Sequence, residues 1–129
     1  MLLDKELLDT VTAKAQQSER LRMNFNLHDS LDAKAQRLLN ALEVGTVLPI
    51  HRHRHTSETY ILLRGRIEVM FYDENRNVIE RFELNPLQGR YGVHIPQNQW
   101  HTLTVIESAV IFEVKDGPYC PLGEEDIMM

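Results

Sequence analysis

The sequence predicts an all-β barrel or sandwich preceded by one amphipathic helix, and three observations carry that reading. All six glycines and all five prolines lie after Val44, so a breaker-free front meets a turn-rich body. Within the front, Leu3, Leu7, Val11 and Ala15 recur at helical spacing, with Lys14, Gln16, Gln17 and Glu19 on other faces. The body holds six short segments rich in β-branched and aromatic residues, and strands at that spacing close into a sandwich or barrel.

Taken in order, residues 4–19 read as the helix. From Leu21 the period changes: Leu21, Met23, Phe25 and Leu27 alternate with Arg22, Asn24, Asn26 and His28, the signature of a half-buried strand. Residues 31–42 admit two readings. Leu31, Ala35, Leu38, Leu39 and Leu42 fit a helix after an Asp29/Ser30 cap, which propensity favours, whereas Gln36–Val44 leads into a glycine turn as a strand would. After Gly45 the expected strands are 59–64, 67–72, 78–84, 91–95, 102–106 and 109–115. Asp73–Asn77 joins one pair, and Glu107-Ser108 is read as a very short hairpin connection. With 129 residues, one domain is the expectation: a helical region 1–20, a barrel 21–119 and a tail 120–129.

Composition narrows the function classes. A formal net charge of −5 argues against a nucleic-acid partner, which needs a clustered positive field. A lone cysteine, Cys120, permits neither an intrachain disulfide nor a thiolate zinc cage, and fits a reducing cytoplasm. The start, Leu2-Leu3-Asp4-Lys5-Glu6, has neither the pattern of a signal peptide nor that of a membrane helix.

The chemistry lies in His51-Arg52-His53-Arg54-His55. On an extended chain the three imidazoles project to one face and the arginines to the other. Glu58 opens the next strand, where its carboxylate can return against that row. Imidazoles with one carboxylate suit a borderline divalent ion such as Zn²⁺, Fe²⁺, Mn²⁺, Ni²⁺ or Cu²⁺ rather than calcium. An HxHxH run alone is equally a solvated basic loop or the relic of an expression tag. The surroundings favour the metal: Gly45, five residues, His51-x-His53, four residues, Glu58, six residues and Gly65 form a spaced series with a glycine turn at each end.

That series resembles the first motif of the cupin superfamily at every fixed position. Pro96-Gln-Asn98-Gln-Trp100-His101 resembles the second, with Asn98 where glycine is usual and Val105 where asparagine is frequent. Asn tolerates the left-handed backbone that such a turn requires. The chain is closer still to the WbuC-type cupin metalloproteins of O-antigen clusters, through Asn24-Phe-Asn-Leu-His28, Gln36-Arg-Leu-Leu-Asn40, Pro49-Ile-His-Arg-His53, Glu58-Thr-Tyr60, Leu63-Arg-Gly65, Trp100-His101 and Phe112–Tyr119. The resemblance implies a double-stranded β-helix, with Gln36–Val44 as a strand, holding one divalent transition metal ion through His51, His53, Glu58 and His101. It implies no reaction.

Among the remaining residues, Tyr60 and Arg64 share the Glu58 face, so Tyr60 is expected beside the ion and Arg64 at the cavity rim. His55 is expected to be solvated or to support a ligand, with ligation in another register as the alternative, while His94 is expected at an ordinary core or edge position and His28 at the surface. Arg52, Arg54, Arg64, Arg66 and Arg90 gather near the ligand strands, either as solvated edge charge or as a positive field for an anionic ligand. Trp100 reads as packed at the rim or stacked on a sugar. The functional expectation is a metal-dependent enzyme, an isomerase or oxygenase, for a small polar, anionic or sugar-derived substrate in surface polysaccharide metabolism. Its general acid or base is not identified by the sequence. The alternatives are a non-catalytic metal-containing ligand-binding or regulatory module and, with iron, a dioxygenase. A metal-free epimerase is disfavoured because four ligands would have no purpose there. Apolar residues on both faces of Thr59–Leu63 predict cover by the N-terminal helix or by a second subunit, hence a homodimer.

Overall fold

In the computed structural model, which describes residues 1–128, the chain forms α1 (Lys5–Gln17) and six strands. These are β1 (Arg22–Asn26), β2 (Ala35–Leu42), β3 (Glu58–Tyr72), β4 (Val78–Leu84), β5 (Gly92–Ile95) and β6 (Trp100–Asp116). All pairings are antiparallel, in the order β1-β2-β6-β3-β4, with β5 paired to the first half of β3.

The helix starts where Asp4 caps it, its carboxylate accepting from the Leu7 amide at 3.0 Å. It ends at Ser18, which is extended. Val11 and Ala15 are buried against Leu39, Ala41 and Val110, flanked by Leu7, Leu8, Met23, Phe25 and Phe112. The predicted apolar stripe and the alternating Met23 and Phe25 therefore meet each other, and α1 covers the outside of β1, β2 and β6. It leaves the outer face of the Glu58–Leu63 segment bare, with Ile61 and Leu63 each 39% exposed.

The ambiguous segment is a strand. Leu38, Leu39, Ala41 and Leu42 are all buried, Leu42 in the barrel interior and Leu39 and Ala41 under α1. A strand covered on both faces loses its alternation, and so its sequence resembles a helix.

Two expected pairs of strands are single long strands. β3 runs through Gly65 and β6 runs through Glu107-Ser108, where a hairpin connection was expected. Gly65 has φ +92°, and a Cβ there would collide with the Ser108 carbonyl and Ala109 of β6. It marks a bend with register shifts between Leu62 and Ile67 rather than a turn. Across that bend the inward parity of β3 switches, from Glu58, Tyr60 and Leu62 to Ile67, Val69 and Phe71. The interior so enclosed also takes Leu84, Ile95, Leu103, Val105, Ala109 and Ile111. By area-transfer reasoning each such side chain contributes about 1.5–3 kcal/mol on burial.

Candidate metal centre

His51 and His53 lie on an extended segment that joins the sheet by one bridge: the His51 amide donates to the His101 carbonyl at 3.0 Å, and His101 returns the bond at 2.9 Å. The Asn98 amide, on the turn before β6, donates to the His53 carbonyl at 2.7 Å. Asn98 holds φ +68°, the conformation for which its residue type was singled out. From the other side the tail clamps the segment, with Met128 donating to the Ile50 carbonyl and Arg52 to the Asp126 carbonyl. Glu58 opens β3 and His101 is the second residue of β6, both buried.

One candidate ligand atom from each of His51, His53, Glu58 and His101 lies within 4.8 Å of every other. His101 Nε2 is 2.9 Å and His53 Nε2 3.4 Å from Glu58 Oε1. Ligands at about 2.0–2.2 Å from one ion stand roughly 3–4 Å apart, which matches these separations. Backbone carbonyls orient two of the rings: His51 Nδ1 is 2.9 Å from the Pro49 oxygen and His101 Nδ1 2.9 Å from the Gln99 oxygen. With Nδ1 donating, each neutral imidazole keeps a lone pair at Nε2. His101 Nε2 has no hydrogen-bond donor of its own, so a lone pair faces a carboxylate in a buried site. A cation between them resolves that repulsion, and the donor set fits a divalent transition metal ion.

Electrostatics agree with a site built for positive charge. Burial pushes the Glu58 carboxyl up, but the His101 and His53 rings beside it outweigh burial and hold the group below the usual range. Burial, aided by His101, lowers His51 to about 4, so its ring is neutral at pH 7. The Tyr60 hydroxyl donates to Glu58 Oε1 at 3.2 Å, and burial followed by the charge of Glu58 keeps that hydroxyl protonated.

The other expectations fare differently. Tyr60 does stand beside the cluster. Arg64 does not: its guanidinium bonds Asp9 at 2.7 Å and Thr12 at 2.9 Å, because the bend at Gly65 turns it toward α1. His55 is exposed and outside the cluster, and His94 is on the outer face, 3.0 Å from Thr59 Oγ1. Arg52 lies over the Trp100 ring, 4.5 Å from its centroid, so the tryptophan is packed. Four of the five arginines are paired with carboxylates: Arg52 and Arg54 with Asp126, Arg54 also with Glu125, Arg64 with Asp9, and Arg66 with Glu83 and Glu107. Arg90 donates to the Glu83 carbonyl. The case for an anionic ligand loses its footing there.

Sequence reasoning missed Glu113. It stands opposite Tyr60 on β6 and accepts from Asn40 Nδ2 at 2.8 Å. Burial first, then the charge of Glu58, raises its carboxyl to about 7, against the opposing effect of Asn40. The signal was present: Glu113 continues the inward alternation of His101, Leu103, Val105 and Ile111, so a carboxyl at that position faces the interior.

Comparison with known proteins adds a family. The profile of a family described as "Domain of unknown function (DUF6016)" matches residues 3–84. This chain belongs to that family. The DUF6016 match spans His51, His53 and Glu58 and stops short of His101. No curated protein matches the sequence. Among solved structures, the DUF6016 chain is similar to the cupin domain of Cnp3 from Schizosaccharomyces pombe, with TM-score 0.61 and 13% identity over 76% of this chain and 66% of that one. It is also similar to a conserved protein of unknown function from Streptococcus pyogenes, with TM-score 0.63 and 14% identity over 93% and 90% of the two chains. A cupin superfamily protein from Desulfitobacterium hafniense gives TM-score 0.59 and 15% identity over 74% and 76%. The fold of this chain is thus the all-β cupin fold with an N-terminal helix. No helix among the described residues is long and apolar enough to cross a membrane.

Proposed function

We propose that the protein is a metal-dependent cupin enzyme acting on a small polar, sugar-derived substrate, with His51, His53, Glu58 and His101 as the ligands of one divalent transition metal ion. The observation that carries the reading is the convergence of these four donors, two of them with Nδ1 already committed to backbone carbonyls. A bound ion would supply Lewis acidity or a more acidic bound water. The chain's own residues provide the rest. Tyr60 fixes the Glu58 carboxylate, and the Asp126 pairings with Arg52 and Arg54 hold the segment that carries His51 and His53. Glu113 supplies what the ligand set lacks: a carboxyl that titrates near neutrality and is held by Asn40, able to give or take a proton.

A role in surface polysaccharide metabolism rests on the WbuC-type resemblance alone. A second reading, a non-catalytic metal-containing binding module, is favoured by the burial of Glu58 and His101 at 3% and 1% exposure, since closed sites are typical of structural metals. Elemental analysis of protein prepared without tag or chelator tests the site: about one ion per chain is expected, with a sharp loss in His53→Ala, and unchanged stoichiometry in that variant removes His53 from the set. Pairing of two chains is proposed over the outer face that α1 leaves bare, where Ile61, Leu63 and Val114 are partly exposed. Light scattering that returns a monomer mass at working concentration defeats it.

A further inference from the structure

A second polar region lies on the inner side of the sheet. β1, β2 and β6 line a cleft of about 330 Å³ with Asn24, Asn26, His28, Asn40, Glu113 and Tyr119. That volume holds about ten waters or one small ligand. The register explains the lining: Asn24 is paired with Asn40 and Leu38 with Glu113, so amides and a carboxyl stand side by side across three strands. No apolar core claims this face of β1, whose Met23 and Phe25 face α1 instead.

Two buried atoms here have no partner. His28 was expected at the surface, yet its Nδ1 sits against the Arg37 backbone, 3.0 Å from the carbonyl oxygen and 3.1 Å from the amide, and its Nε2 is buried and unbonded. Asn40 donates to Glu113 through Nδ2, while its Oδ1 is buried and unbonded. A buried donor or acceptor left without a partner destabilises the fold. Hydroxyl groups serve both kinds, since each donates once and accepts twice. Lys115 is the single cation of the lining, which also holds the carboxyl of Glu113.

We infer that this cleft is a binding site for an uncharged polyhydroxylated ligand of monosaccharide size, held by the orphan groups of His28 and Asn40 and by the Asn24 and Asn26 amides. It deepens the proposed function by placing the substrate, and it rests on that reading only for turnover, because binding here needs no ion. Glu113 joins the two regions: it borders the cleft and stands opposite Tyr60, whose hydroxyl bonds Glu58.

The test is a titration of the full chain with methyl glycosides of glucose, galactose, mannose and rhamnose, followed by NMR of the side-chain amides, with inorganic phosphate as the charged comparator. It is run on metal-loaded and on chelated protein. The expected result is a saturable shift of the Asn24, Asn26 and Asn40 amides with at least one glycoside and none with phosphate. His28→Phe and Asn24→Ala are each expected to weaken binding about three- to tenfold. Asn24 is exposed, so its variant reports on binding with the fold intact. Absence of saturation by every glycoside, meaning a cleft that holds water only, overturns the inference, as do shifts centred elsewhere or a response to phosphate alone. Glycoside binding to a chain that takes up no metal ion would sink the proposed function and leave this site standing; metal uptake without glycoside binding would do the reverse.

Discussion

The cluster around Glu58 and the cleft around Asn40 are both polar, both built in part on β6, and opposite in what they require. In the cluster, imidazole lone pairs and a carboxylate face one another, so the arrangement gathers negative potential and calls for a cation. In the cleft a ring nitrogen and an amide oxygen are buried without partners among side-chain amides, so the arrangement calls for a neutral partner that can both donate and accept. Buried polar groups therefore do not announce a ligand class by their number. The sign and direction of the unmet hydrogen bonds do.

The strongest way to break the contrast is to remove a cluster donor. Glu58→Gln or His101→Ala should lower divalent-ion affinity by more than about 100-fold, beyond the usual loss from a supporting residue. Elemental analysis and competition with a chelator would read it, and glycoside shifts in the cleft should persist. Addition of the ion to stripped protein should come next in size. At a free concentration about 100 times its Kd, stabilisation of about 2.7 kcal/mol is expected, visible as a rise in Tm that a chelator reverses.

Glu113→Gln probes the junction between the regions. Its carboxyl titrates at about 7 when folded, and burial is the main cause. An acid whose folded value lies above its ordinary one binds more protons folded than unfolded, so stability is highest below about pH 4.5 and falls as pH rises toward 7. The Gln variant lacks that slope. In stripped protein it should match the parent near pH 4.5 and exceed it above pH 7 by on the order of 2 kcal/mol, read from denaturant midpoints at each pH. The smallest effect should come from Asn24→Ala, which sits exposed on the edge strand: stability within about 0.5 kcal/mol of the parent and unchanged metal content. A large loss of metal there would erase the distinction between the two regions.

Residue types and spacings alone determined the N-terminal helix and the strand-rich body, because these rest on local periodicity, while the resemblance to short cupin motifs supplied the turn at Asn98 and the candidate ligand set. What escaped depended on neighbours distant in the chain. Leu38–Leu42 read as helical because α1 and the interior cover opposite faces of the strand, and no local pattern records a cover that arrives from elsewhere. The bend at Gly65 looked like a turn, since glycine marks both; only the approach of Ser108 and Ala109 showed a strand passing through. That same bend flipped the parity of β3, leaving Tyr60 at the cluster and sending Arg64 to Asp9. Glu113 and His28 acquired their environments from strand pairings across the sheet. Local sequence sets which groups a strand can present, whereas the company those groups keep, and so their protonation and unmet bonds, is settled by packing between segments far apart in the chain.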